Sequence, residues 1–122
     1  MIGYTVLGTN DLPRAVGFYD ALLAEFGAKR AMALPRGHIW ATGPGKPMFG
    51  VMTPFDGGTA TAGNGTMVAL PAADRSQVDR VHARALELGA TCEGQPGERM
   101  PGFYGAYFRD PDGNKLACFI MG

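Results

Sequence analysis

Two stretches of the chain repeat their apolar residues at the spacing of a helix face. In the first, Leu12, Ala15, Val16, Tyr19, Leu22, Leu23 and Phe26 recur every three or four residues, which predicts an amphipathic helix with one buried side. Asp11 precedes it as an N-cap, Pro13 falls in its first turn, and Gly27 stops it. In the second, Val78, Val81, His82, Ala85, Leu86 and Leu88 form the stripe, with Asp74 as cap, Gln77 three residues on, and Gly89 as the stop. The remaining apolar residues gather in short β-branched or aromatic runs cut by Gly and Pro. These read as strands at Ile2 to Leu7, about 28–34, 37–42 and 47–53, then 66–70, a weak one at 90–94, 104–109 and 115–120.

The order strand, helix, three strands therefore occurs twice. Asp11 and Asp74 match, as do Gly27-Ala28 and Gly89-Ala90. Trp40 to Phe49 aligns with Tyr107 to Ala117 once a one-residue gap is allowed. One domain is predicted, with a module at 1–55, a Gly-rich connector at 56–65 and a second module at 66–122. One such module leaves a sheet face uncovered and is marginal alone. The expected fold is α+β, two βαβββ modules forming a curved eight-stranded mixed sheet with helices outside and a trough inside.

Composition narrows the function. The 122 residues carry 11 Lys and Arg against 11 Asp and Glu, so the basic patch of a nucleic-acid binder is not expected. No apolar run approaches a membrane span, and strand-like residues begin at Ile2 where a signal peptide would lie. Cys92 and Cys118 lack the spacing of a redox or zinc motif. They read as reduced thiols in a cytoplasmic protein.

Several residues are candidates for a ligand site. Trp40, the only tryptophan, shares a strand face with His38 and Thr42 and offers a stacking surface. His38 offers a titratable hydrogen-bonding group. Tyr107 is matched with Trp40 by the repeat, and Arg109 shares its face. Tyr4, Phe49 and Met67 are expected to line the trough floor, an apolar surface suited to a small organic molecule. The Gly/Pro-rich stretch 93–103 reads as a loop able to close over that trough. Gly43-Pro44-Gly45-Lys46 lacks the spacing and hydroxyl of a phosphate loop. His82 is assigned to the buried helix stripe.

Asn10-Asp11-Leu12 with Phe18-Tyr19, the closing run Phe108-Arg-Asp-Pro-Asp-Gly-Asn-Lys-Leu116 and the repeat behind them together resemble the vicinal oxygen chelate superfamily. Its members include glyoxalase I, extradiol dioxygenases and the fosfomycin and bleomycin resistance proteins. The resemblance implies a divalent metal held by residues of the first, fourth, fifth and eighth strands. Here those places fall at Tyr4, Phe49, Met67 and Ala117, and none supplies imidazole or carboxylate. The expectation is a member without the usual metal, needing no cofactor. It is read as a homodimer that binds a small organic molecule through Tyr4, His38, Trp40, Phe49, Met67, Tyr107 and Arg109. The alternative is a lyase, isomerase or dioxygenase with unconventional ligands or Tyr/His acid–base catalysis.

Overall fold

The computed structural model describes residues 1–122. Strand β1 (Tyr4–Gly8) leads into helix α1 (Leu12–Leu23), followed by β2 (Lys29–Leu34), β3 (Gly37–Ala41) and β4 (Met48–Met52). The second module repeats this with β5 (Val68–Pro71), α2 (Arg75–Glu87), β6 (Thr91–Met100), β7 (Phe103–Arg109) and β8 (Lys115–Met121). The caps fall where expected. Asp11 accepts from the Arg14 backbone N–H and Asp74 from that of Gln77. Gln77 returns a bond by accepting from the Ala73 N–H. A 3-10 turn extends α1 to Phe26, and Gly27 closes it in the left-handed region.

The α+β class and the two βαβββ modules are as expected. Within the chain the eight strands form two sheets of four, ordered β1-β4-β3-β2 and β5-β8-β7-β6. The first strand of each module runs parallel to its last, and the other pairings are antiparallel. β1 and β5 are edges with no strand partner beyond β4 and β8.

Each helix packs on one face of its own sheet, and the helices touch each other. Leu7, Trp40, Phe49 and Val51 from the first sheet join Ala106, Phe108, Leu116 and Cys118 from the second in one core with both helices. Burial pushes the Cys118 thiol up to about 12. The helices therefore lie on the core side, and each sheet keeps its other face open.

Beyond the shared core, a hydrogen-bonded corner ties the modules together. Asp110 is buried and accepts from the Tyr19 hydroxyl at 2.6 Å, from the backbone N–H of Asp112 and of Asn114, and from the Asn114 amide. Burial, then Asp110 beside it, raises the Tyr19 phenol well above its ordinary value. Asp112 takes bonds from the Thr9 hydroxyl, the Asn10 N–H and Arg14. Asn114 donates to the Gly8 carbonyl. The turn that looked like a hairpin signature is thus also the joint between modules. The connector is fixed at the same corner, where the Asn10 side chain pairs with both backbone groups of Ala60.

The stretch 93–103 is not a free loop. β6 runs through it to Met100 and pairs with β7, breaking register between Cys92 and Gly94, between Gly94 and Gly97, and between Glu98 and Met100. Repeated bulges let a Gly- and Pro-rich sequence stay in a sheet, so it is no lid.

Candidate functional site

Strand register fixes which side chains share a face. On the first sheet Trp40 lies opposite Phe49 and both face α1; on the second Phe108 lies opposite Leu116 and both face α2. The structural mate of Phe49 is thus Leu116, and that of Trp40 is Phe108. The sequence alignment paired Phe49 with Ala117 and Trp40 with Tyr107, one residue off. A slip of one residue moves a side chain to the opposite face. With the register corrected, Ala117 corresponds to Gly50 and Tyr107 to Ile39.

The open face of the first sheet is apolar. Tyr4 and Met48 sit side by side at its start, then Val6, Gly50, Ile39 and Met32, then Gly8, Met52, Gly37 and Leu34. Tyr4 is 65% exposed and Met32 46%, large values for side chains with so much apolar surface. A methyl on Gly50 would stand 2.4 Å from Ile39 Cδ1, so glycine there lets its neighbour lie flat.

The open face of the second sheet is mixed. Ala69, Ala117 and Tyr107 form a row, flanked on one side by Lys115 and Arg109 and on the other by Phe119 and Gly105. The Phe119 and Phe103 rings stack at 5.5 Å with an interplanar angle of 7°. Arg109 donates to the Glu93 carboxylate at 2.7 Å and to the Gly113 carbonyl. The Arg99 guanidinium carbon and the Lys115 ammonium lie 5.3 and 5.6 Å from the centre of the Tyr107 ring.

The candidate residues are accordingly divided. Tyr4 lies on the first open face, and Tyr107 and Arg109 lie on the second. Met67, just before β5, is 46% exposed. Trp40, Phe49 and His38 are on the helix side. Trp40 is 1% exposed and donates from Nε1 to Asp20, whose carboxyl Arg30 holds below its ordinary value through their hydrogen bonds. The His38 ring centre is 6.3 Å from that of Trp40, and its buried Nδ1 has no hydrogen-bond partner. Tyr4 and Phe49 cannot share a floor, because their positions on paired strands have opposite parity.

Trp40, Phe49 and Met67 do meet around an open cleft of about 960 Å³ between the modules, together with Thr5, Val68 and Leu70. It runs along the two unpaired edges, β1 and β5. Tyr4, His38, Tyr107 and Arg109 are not part of its lining.

No three His, Cys, Asp or Glu side chains gather anywhere in the structure as metal donors would. With the register corrected, the four strand positions hold Tyr4, Gly50, Met67 and Ala117. Their side chains amount to one phenol, one thioether, one methyl and one hydrogen, which do not fit a hard or borderline divalent ion. His82 faces α2's own sheet, where Nε2 lies 3.3 Å from Cys92 Sγ, and burial lowers its proton affinity.

The profile of the Glyoxalase/Bleomycin resistance protein/Dioxygenase superfamily matches residues 1–118, and the chain belongs to that superfamily. A glyoxalase/bleomycin resistance protein from Albidiferax ferrireducens is 38% identical, with 98% of this chain and 97% of that one covered and a TM-score of 0.90. Lactoylglutathione lyase from Agrobacterium tumefaciens is 26% identical, with 98% and 92% covered and a TM-score of 0.72. A family enzyme from Burkholderia phytofirmans, 21% identical with 96% and 95% covered, superposes with a TM-score of 0.77 and shares the fold. No curated protein matches the chain.

Sequence reasoning did not single out Arg99 and Lys115, which stand beside the Tyr107 ring. Arg99 sat in the stretch read as a loop, and Lys115 in a motif read for its turn. The only available signal was parity: 107, 109, 115 and 117 share one face once the strand bounds are known.

Proposed function

We propose that this chain is a metal-independent small-molecule-binding protein of the glyoxalase/bleomycin resistance type, acting as a cytoplasmic homodimer. The observation that carries the reading is the open face of the first sheet, where Tyr4, Val6, Met32 and Leu34 remain exposed and no ion ligand stands among them. A flat ligand would cover this surface, and such apolar walls with a few polar groups are the usual make-up of small-molecule sites. Two free cysteines accord with a reducing compartment.

One open face does not enclose a ligand. The unpaired edges supply the reason for a second copy. Exposed edges invite strand addition, and one chain carries both β1 and β5. A two-fold axis setting β1 against the partner's β5 repeats the same contact twice, which closes the assembly. Each trough would then be walled by the first sheet of one copy and the second sheet of the other. The apolar cleft beside those edges would be covered in the same step. Tyr4 and His38 lie on opposite faces, so they form no acid–base pair for the catalytic alternative.

Sedimentation across a micromolar concentration series should show a dimer, and a monomer throughout would remove the composite trough. Protein prepared without a histidine tag, offered zinc, nickel, manganese and iron in turn, should retain none stoichiometrically. A retained ion that is lost in Tyr4→Phe would overturn metal independence.

A further inference from the structure

We infer that the ligand is an anion: a flat aromatic or amphiphilic molecule whose carboxylate, sulfonate or phosphate is held by Arg99 and Lys115 against Tyr107. The inference rests on the small-molecule reading above and adds the chemical class. Its basis is the charge left over on the second open face. Three cations stand there, Arg99, Lys115 and Arg109, with a single carboxylate, Glu93, which Arg109 already occupies. Arg99 and Lys115 have no carboxylate within 4.0 Å, whereas Arg14, Arg30, Arg75, Arg80 and Arg109 each have one.

The placement of Arg99 is built. Its guanidinium lies along β6 over Gly94 and Gly97, where an added methyl would stand 3.1 and 2.9 Å from its Nη atoms. Nη2 donates to the Gln95 carbonyl, and the guanidinium carbon lies 5.3 Å from the centre of the Tyr107 ring. Two like charges over one ring repel. The ring's negative face offsets part of that cost, and an anion between the two cations removes the rest. A guanidinium with free donors is suited to a carboxylate, sulfonate or phosphate. The stacked Phe103 and Phe119 continue the surface away from the charges, and the first sheet's open face supplies no carboxylate to compete. The net formal charge is zero, so any preference for anions is local rather than a property of the whole surface.

The test uses two dyes of one aromatic skeleton, anionic anilinonaphthalene sulfonate and neutral phenylnaphthylamine. Binding is followed by dye fluorescence on the folded wild type, on Arg99→Gln and Lys115→Gln singly and together, and on Lys46→Gln as a control for net charge. Thermal midpoints confirm that each variant is folded. The sulfonate should bind tighter than the neutral dye, weaken with salt, and lose about tenfold in affinity in the double variant. The neutral dye and the Lys46→Gln control should not change. Equal affinity for both dyes, or a double variant that binds the sulfonate as well as wild type, overturns the anion assignment and leaves the small-molecule reading standing. Binding of neither dye overturns both.

Discussion

The two modules share one plan and differ in what they do with it. In each, a core-facing pair on adjacent strands (Trp40 with Phe49, Phe108 with Leu116) anchors the helix. The hairpin turns before the last strand differ sharply. In the first module, residues 43–46 close with one backbone bond, from the Lys46 N–H to the Gly43 carbonyl, and their side chains make no ion pair. In the second, Asp110 binds Tyr19 within α1, Asp112 binds Asn10 just before that helix, and Asn114 binds the end of β1. The open faces differ too, one apolar and the other carrying unpaired cations. A repeated unit thus divides its labour: the first module offers the wall, and the second supplies the charge and the joint.

Breaking the joint should have the largest effect. Asp110→Ala leaves the buried Tyr19 hydroxyl and two turn N–H groups without their acceptor, at about 3–4 kcal/mol of stability. Gly43→Ala in the other turn meets only Lys46 Cγ at 4.0 Å, so it should stay within about 0.5 kcal/mol. Urea unfolding of both variants measures the contrast. Equal costs would mean that the second turn is no more than a turn.

A smaller contrast lies on the open faces. Gly50 and Ala117 occupy corresponding places, yet a methyl at Gly50 meets Ile39 Cδ1 at 2.4 Å and the His38 carbonyl at 3.2 Å. Ile39 can swing aside and the carbonyl cannot, so Gly50→Ala should cost about 1–2 kcal/mol. The reverse change, Ala117→Gly, should cost about 1 kcal/mol, from backbone freedom and the loss of one buried methyl. If Gly50→Ala is neutral in thermal unfolding, the first trough wall is looser than its packing indicates.

Much of the fold could be read from the chain because helix stripes and caps repeat: Asp11 and Asp74, Gly27 and Gly89 place both helices to within a residue or two. The site was less legible, for reasons of period. A strand alternates faces every residue, so aligning Ala117 with Phe49 instead of Gly50 put Phe49 and Trp40 on the wrong side. On a helix the same one-residue error rotates a side chain by about 100°, which is less than the full reversal it causes on a strand. The start of β6 was legible as a weak strand at 90–94, but its continuation to Met100 was hidden because Gly94, Pro96 and Gly97 are turn residues by composition, and only pairing with β7 reveals the bulges that accommodate them. The Asp110 turn was legible as a hairpin, but its partners are about 100 residues away, at Thr9, Asn10 and Tyr19, and no local pattern encodes them.

The smallest difference between the modules concerns how each helix is tied to its sheet, and acid separates the two ties. In the first module Asp20 on α1 binds Arg30 on β2; in the second the same two elements are tied by His82 on α2 and Cys92 on β6. Both groups have folded proton affinities below their ordinary values, His82 through burial and Asp20 through Arg30. The unfolded chain therefore takes up a proton first in each case, and stability falls with pH. For His82 the loss begins below its unfolded value of 6.5; for Asp20 it begins below 3.8. The Asp20 pair is largely exposed, so solvent screening keeps its contribution small. Thermal midpoints followed from pH 7 downward should fall first in the histidine window. His82→Gln should flatten that window and leave the lower one, while Asp20→Asn should flatten only the lower one. If Asp20→Asn instead abolishes the fall that begins near pH 6.5, the buried histidine is not the acid-sensitive tie and the second module is not the first to loosen.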